Sequence, residues 1–228
     1  MAPRTLVSIK DTYEANVIRD LEIDIIDLKE VSNPPMGFVG LEKIKLIKNI
    51  LPNRVISVTM GNNINPYEKK IINLANEVAA SGVDYMKVGL FSENEIKNHG
   101  KFLKELNLKN CRPVCVILVD NSVDINYLDS LHEIGYKGVM LDTINKKQSR
   151  VFDLLSEKEC ISFVNQSKKL GMTSGIAGSL TLDDLSKIMR INPDFIGFRG
   201  QLCKEKSNRF NLDRDAVIEV LRATHLSS

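Results

Sequence analysis

Lysines and aspartates recur in this chain at the ends of short apolar runs. The run Ile23–Lys29 passes through Asp27 to Lys29, the stretch Tyr85–Gly89 carries Lys87 at its centre, and Val139–Asp142 closes on Asp142 with Lys146 four residues further on. A lysine amine that is desolvated, or that lies near a second cation such as Lys87, loses its proton more readily and can then attack a carbonyl. Carboxylates beside it can move protons through the carbinolamine, imine and enamine steps that follow. Lys29 and Lys87 with Asp27 and Asp142, at three run ends, therefore read as machinery for aldehyde or ketone chemistry. The alternative reading is a set of salt bridges that only tie chain segments together. Two further run ends, Ala177-Gly178-Ser179 and Phe198-Arg199-Gly200, suit an anion. Glycine lets backbone N–H groups approach closely, a helix starting near Thr181 turns its positive end to the same place, and Arg199 offers a charged hydrogen bond to phosphate.

Those ends need a scaffold that gathers them. Strands are predicted over Thr5–Ile9, Ile23–Leu28, Val55–Thr59, Tyr85–Gly89, Val114–Val119, Gly138–Leu141, Thr173–Ala177 and Phe195–Phe198. Amphipathic helices are predicted between them, over Tyr13–Leu21, Leu41–Ile50, Pro66–Ser81, Glu93–Leu106, Ile125–Ile134, Glu157–Leu170, Leu182–Met189 and Arg214–Leu226. Proline after Asn65, a Thr181/Asp184 capping pattern, and Gly82, Gly135 and Gly171 mark helix boundaries. Eight βα units predict a parallel sheet, and eight is the number that closes a barrel. The expectation is an α/β protein, a single (β/α)8 TIM barrel over residues 1–228, with an open doubly wound sheet as the competitor. In such a barrel the chemistry lies at the C-terminal ends of the strands, where Asp27, Lys29, Asp142, Lys146 and the two glycine turns all fall.

Composition narrows the function classes. The 228 residues carry a formal net charge of +2, too small to suggest a nucleic-acid or membrane partner, so any basic site is local. No apolar run is long enough for a signal peptide or a membrane span, and the four cysteines suit free thiols, so a cytoplasmic protein is expected. Cys111 and Cys115 lack a second cysteine or histidine pair and read as partly buried thiols rather than metal ligands. His99, His132 and His225 fall on predicted helices or helix ends and read as surface residues, which disfavours histidine-dependent or metal-dependent hydrolysis. No G-x-x-x-x-G-K-[ST] or G-x-G-x-x-G pattern is present, against nucleotide-driven chemistry. Exposed helix faces of a barrel leave room for a homo-oligomer.

The motifs DIIDLK (Asp24–Lys29), DYMKVGLF (Asp84–Phe91), VMLDTINK (Val139–Lys146), GIAGSL (Gly175–Leu180) and IGFRGQLC (Ile196–Cys203), in that order along nearly the whole chain, resemble one family. It is the (5-formylfuran-3-yl)methyl phosphate synthases, also called 4-(hydroxymethyl)-2-furancarboxaldehyde-phosphate synthases. The resemblance implies a barrel that condenses two molecules of glyceraldehyde 3-phosphate into a furan aldehyde phosphate, releasing phosphate and water, for the methanofuran or methylofuran carrier. It implies Lys29 as the Schiff-base lysine, with Asp27, Lys87, Asp142 and Lys146 as supporting acid–base and charge groups, Lys87 and Asp142 being the candidate proton carriers. It implies no metal and no organic cofactor. Two phosphorylated trioses need two anion sites: Gly178, Ser179, Arg199 and Gly200 supply one, and the other is expected from Lys146 or the loop after the second strand.

The chain also departs from the family pattern. The loop Glu30–Gly37 is longer than the usual glycine-containing turn, although Gly37-x-x-Gly40 is kept. Asn62 stands where an aspartate is common, and Lys204–Arg209 lacks the usual glycines. Two other functions use the same lysines: a different class I aldolase acting on a phosphosugar, and a non-catalytic relative that binds sugar phosphate.

Overall fold

The computed structural model describes residues 3–121, 127–146, 148–205 and 209–226. Eight strands close into a barrel in chain order, each parallel to both neighbours. They are β1 (Arg4–Ile9), β2 (Ile25–Leu28), β3 (Ile56–Thr59), β4 (Tyr85–Leu90), β5 (Arg112–Leu118), β6 (Gly138–Asp142), β7 (Thr173–Ile176) and β8 (Phe195–Phe198). Around them, among the described residues, run α1 (Thr12–Ile18), α2 (Leu41–Ile50), α3 (Lys69–Ala80), α4 (Ile96–Lys104), α5 (Leu128–Glu133), α6 (Val151–Leu154), α7 (Glu157–Lys169), α8 (Leu185–Ile191) and α9 (Arg214–Leu226). The expected closed barrel is the observed one, and the open sheet is excluded.

The period of two along each strand sorts side chains into two cores. Val7, Ile26, Val58, Met86, Ile117, Leu141 and Ile196 face outward and join the apolar layer under the helices. Leu6, Ile25, Val114, Val116, Leu118, Met140 and Phe195 face inward and fill the barrel's interior. Strands buried on both faces must be apolar on both, which is why the runs read as continuous β-branched stretches. Gly175 makes room for this filling: a Cβ there would lie 2.2 Å from the Phe195 ring. The inward alternation then turns polar toward the C-terminal ends, at Ser8, Asp27, Lys87 and Asp142.

Most departures from the sequence-based boundaries have local causes. α3 begins at Lys69, because the Asn65 carboxamide accepts the Tyr67 N–H at 2.9 Å and closes a turn before the helix. Short 3-10 turns, Glu93–Glu95 and Leu182–Asp184, lead into α4 and α8. The extra turn α6 was not foreseen, and Ile125 and Asn126 of the expected fifth helix lie outside the described residues. Gly82, Gly135 and Gly171 do end helices, each with positive φ.

His99 corrects the expectation of a surface histidine. It is fully buried, 2.6 Å from the Tyr136 hydroxyl, and burial lowers its pKa to about 4, so it sits in the wall as a neutral ring. His132 and His225 are exposed. The four thiols are free and fully rather than partly buried, and burial pushes Cys111 up to about 12. Among the described residues no helix is long and apolar enough to cross a membrane.

Candidate active site

The C-terminal ends of β1, β2, β4, β6, β7 and β8 enclose a space of about 390 Å3, partly open to solvent. All five polar strand-end residues singled out from the sequence, Asp27, Lys29, Lys87, Asp142 and Lys146, line it. Ser8 joins them; it had gone unnoticed, although its offset of two from the inward Leu6 marks it.

The pairing among them crosses between strands. Lys87 on β4 pairs with Asp27 on β2 at 2.7 Å, and Ser8 donates to the other Asp27 oxygen at 3.1 Å. Lys29, just past β2, lies 3.3 Å from Asp142 Oδ2 at the end of β6, while Lys146 pairs closely with Asp142 Oδ1. One buried carboxylate thus holds two amines, and the Thr143 N–H donates to it at 2.8 Å. The pairing matters because these groups are nearly inaccessible, with Lys29 only 6% and Asp142 only 4% exposed. Unpaired, such charges would be costly to bury.

Crowding sets the protonation. Burial lowers the pKa of Lys29; Asp142 and Asp27 pull it back up, while Lys87 and Arg209 push it down. Lys146 falls to about 7 by burial, with Asp142 opposing and Lys29 reinforcing the fall. Burial works against the charge of Asp142, but Lys146 and Lys29 outweigh it and hold the carboxyl well below the usual range. At neutral pH the carboxylate stays ionised, and Lys146 lies in its titration range.

The wall formed after β7 and β8 contains Gly178, Ser179, Leu180 and Gly200. Gly178 and Ser179 have φ of 99° and 56°. Among the described residues their N–H groups, with those of Leu180 and Gly200, donate to no other backbone group. Arg199 also lines the space, but its expected role as a phosphate ligand is corrected. Its five N–H bonds are all taken: Nε donates to Arg209 O at 2.8 Å, Nη1 to Ser8 O and Glu14, and Nη2 to Glu14 and Phe210 O. No donor is left for an anion. The start of the helix at Thr181 is likewise filled by its own cap, since Asp184 accepts from both Thr181 N–H and Oγ1.

Residues 5–221 match the family model described as 4-HFC-P synthase. The chain belongs to this family. Within the 4-HFC-P synthase family, the (5-formylfuran-3-yl)methyl phosphate synthase of Methanosarcina mazei is 31% identical over 96% of this chain and 98% of its own. Those of Methanocaldococcus jannaschii and Methanococcus maripaludis are each 30% identical, over 94% and 95% of this chain and 97% of their own. In three dimensions the chain is similar to 3-keto-L-gulonate-6-phosphate decarboxylase from Vibrio cholerae (TM-score 0.68, 11% identity, 100% of both chains). It is also similar to N-(5'-phosphoribosyl)anthranilate isomerase from Pyrococcus furiosus (TM-score 0.65, 14% identity, 98% and 99%). At those identities the likeness is one of barrel fold.

Two features of this member of the 4-HFC-P synthase family fit one another, the loop after Lys29 and the amide of Asn62. The long loop after Lys29 folds back on itself through Glu30 N–H to Gly37 O at 2.9 Å, and drives Met36 into the inner core, 1% exposed. Asn62 holds that loop: its Oδ1 accepts the Met36 N–H at 3.0 Å, and its Nδ2 faces Asn33 O, Asn33 Oδ1 and Pro34 O at 3.1, 2.9 and 3.3 Å. A carboxylate could make only the first of these contacts, so this loop conformation and the amide belong together. Gly89 yields space to Met36, since a Cβ there would come within 3.2 Å of Met36 Cγ. Of the stretch Lys204–Arg209, residues 206–208 lie outside the described residues, and Arg209 reaches the central space. Nothing in the sequence pattern signals that reach.

Proposed function

We propose that this chain condenses two molecules of glyceraldehyde 3-phosphate into (5-formylfuran-3-yl)methyl phosphate through an imine on Lys29. The observation that carries the reading is the single buried carboxylate of Asp142 shared by Lys29 and Lys146. Two ammonium groups held that close cannot both keep a proton at little cost, so a neutral amine is present at neutral pH. Family membership supports the substrate, and the cationic surplus of the cavity suits phosphorylated trioses.

In this reading Lys29 attacks a triose carbonyl and, after water leaves, becomes an iminium ion. Asp142 stays ionised and steadies that cation. Its depressed pKa makes it a weak proton carrier, so proton movement falls to Lys146, poised near neutrality. Lys87, paired with Asp27, serves the triose isomerisation that provides the ketone partner. The enamine from the first triose adds to the aldehyde of the second, and loss of phosphate and water with ring closure gives the aromatic furan. The N–H groups of Gly178, Ser179 and Gly200 hold one phosphate.

The test is incubation with glyceraldehyde 3-phosphate and borohydride, followed by peptide mass mapping. A triose adduct is expected on Lys29, absent in Lys29→Ala, and a furan chromophore is expected without borohydride. Trapping should slow as pH falls through about 7, where Lys146 takes up its proton. In Lys146→Met, which has no such proton to take up, the limb near pH 7 should be lost. An adduct on Lys146 instead would reverse the two roles, and no adduct on any lysine would end the imine reading.

A further inference from the structure

The geometry points to Arg209 as the residue that selects phosphorylated trioses, gripping a substrate phosphate from a loop that Arg199 holds in place. Five cationic side chains line the central cavity. Lys29 and Lys146 are paired with Asp142, Lys87 with Asp27, and Arg199 with Glu14. Among the described residues, no carboxylate lies within ion-pair distance of Arg209. A guanidinium removed from much of its water, attracted only by an Asp142 carboxylate that lies beyond ion-pair distance and already holds two amines, is costly unless a ligand supplies the anion. Its planar fork of donors matches two phosphate oxygens at once.

Contacts of the described residues on either side hold Arg209 in place. Lys204 N–H meets Asn211 O at 3.3 Å, Asp213 N–H meets Leu202 O at 2.8 Å, and Cys203 bridges Leu212. From below, Arg199 Nε donates to the carbonyl of Arg209 itself at 2.8 Å, and Arg199 Nη2 and Lys10 Nζ both reach Phe210 O. Arg209 has φ of 56°, a left-handed conformation that disfavours long side chains. Asparagine or glycine would sit there at lower cost, so the arginine answers to what its side chain does. Arg199, all of whose donors are internal, is a positioning residue, and Arg209 is the group that meets substrate.

This inference rests on the proposed handling of glyceraldehyde 3-phosphate, and two readouts separate the claims. Inorganic phosphate titrated into the full chain, followed by calorimetry, measures the anion site without turnover; steady-state furan formation measures it with turnover. Arg209→Ala should weaken phosphate binding and raise KM for glyceraldehyde 3-phosphate by about tenfold to hundredfold, the range for one charged hydrogen-bonded contact. Its kcat should change far less, and Arg209→Lys should recover part of the loss. Borohydride trapping of unphosphorylated glyceraldehyde should fall far less than that of glyceraldehyde 3-phosphate, since only the field of Arg209 on Lys29 is lost there. Should either variant unfold, Arg209→Gln supplies the same comparison with shape kept. Wild-type KM and phosphate affinity in a folded Arg209→Ala protein would overturn the inference, as would a wild-type chain that binds no phosphate. Phosphate binding that depends on Arg209, in a wild-type chain that forms neither furan nor adduct, would uphold the anchor while the furan-forming reading fell.

Discussion

Around Met36 the loop after β2 is tied down by neutral groups, with its one ion pair, Lys43–Glu30, at the other end, whereas the loop after β8 is tied down by a buried ion pair and delivers an arginine. In the first, the Asn62 amide and the Thr59 hydroxyl, 2.7 Å from Gly37 O, hold a turn whose Met36 plugs the inner core. In the second, Arg199 and Glu14 make a two-pronged pair at 2.7 and 2.9 Å, with Glu14 only 1% exposed. Neutral ties are inexpensive to desolvate and indifferent to pH, and losing one leaves an unsatisfied dipole. A buried ion pair adds little net stability, yet losing one partner strands a charge. The two sides of the mouth should therefore fail differently: one by loosening, the other by collapse of the anion-holding loop.

Glu14→Gln tests that contrast at its largest. The Arg199 charge would stay buried with its neutralising partner gone, at a cost of about 3–5 kcal/mol. For a chain of this size that lowers Tm by roughly 6–20 °C. Calorimetric unfolding should show the loss, and affinity for inorganic phosphate should fall with it as the Arg209 loop shifts. A Tm within a degree or two of wild type would break the comparison, for the pair would then hold nothing. Met36→Ala comes next, at about 2–4 kcal/mol, within the range for truncating a buried methionine. Here phosphate affinity should hold while Tm falls. A variant that lost phosphate binding instead would mean that the plug, too, shapes the anion site.

The same contrast explains what could be read in advance. The barrel was legible because β-branched runs buried on both faces, spaced by helices, have few other solutions. Asp27, Lys29, Lys87 and Asp142 were legible because inward alternation and the strand ends fix where they point, whatever their partners, whereas Lys146, four residues past β6, was marked by the family motif. Which amine meets which carboxylate was not, since Lys87–Asp27 and Lys29–Asp142 join strands far apart in sequence. Glu14 gave no signal: a glutamate in the first turn of a helix is ordinarily solvated, and only closure of the barrel brings it under Arg199. Arg199 was placed correctly and given the wrong task, because a strand-end arginine looks the same in sequence whether its donors are free or spent. Arg209 projects from a loop, where neither a period of two nor one of 3.6 says which way a side chain turns.

Asn62→Asp makes the neutral tie ionic and should have the smallest effect of the three. The aspartate keeps the acceptor for the Met36 N–H but sets a second oxygen against Asn33 O, Asn33 Oδ1 and Pro34 O. The expected cost is about 1–2 kcal/mol at neutral pH, limited because the site is half exposed. Its sign with pH is distinctive. Oxygens facing the new carboxylate disfavour its charge, so its folded-state pKa lies above the unfolded value of about 3.9. The folded chain then binds the extra proton more tightly, so the deficit is full above the folded pKa and disappears as pH falls through it. A protonated aspartic acid can again donate to one of those carbonyls. Unfolding curves of wild type and variant should therefore converge on acidification. If the Asn62→Asp gap stayed constant from neutral to acid pH, the amide's donors would not be what holds the loop, and Met36 would have to be kept in place by packing alone.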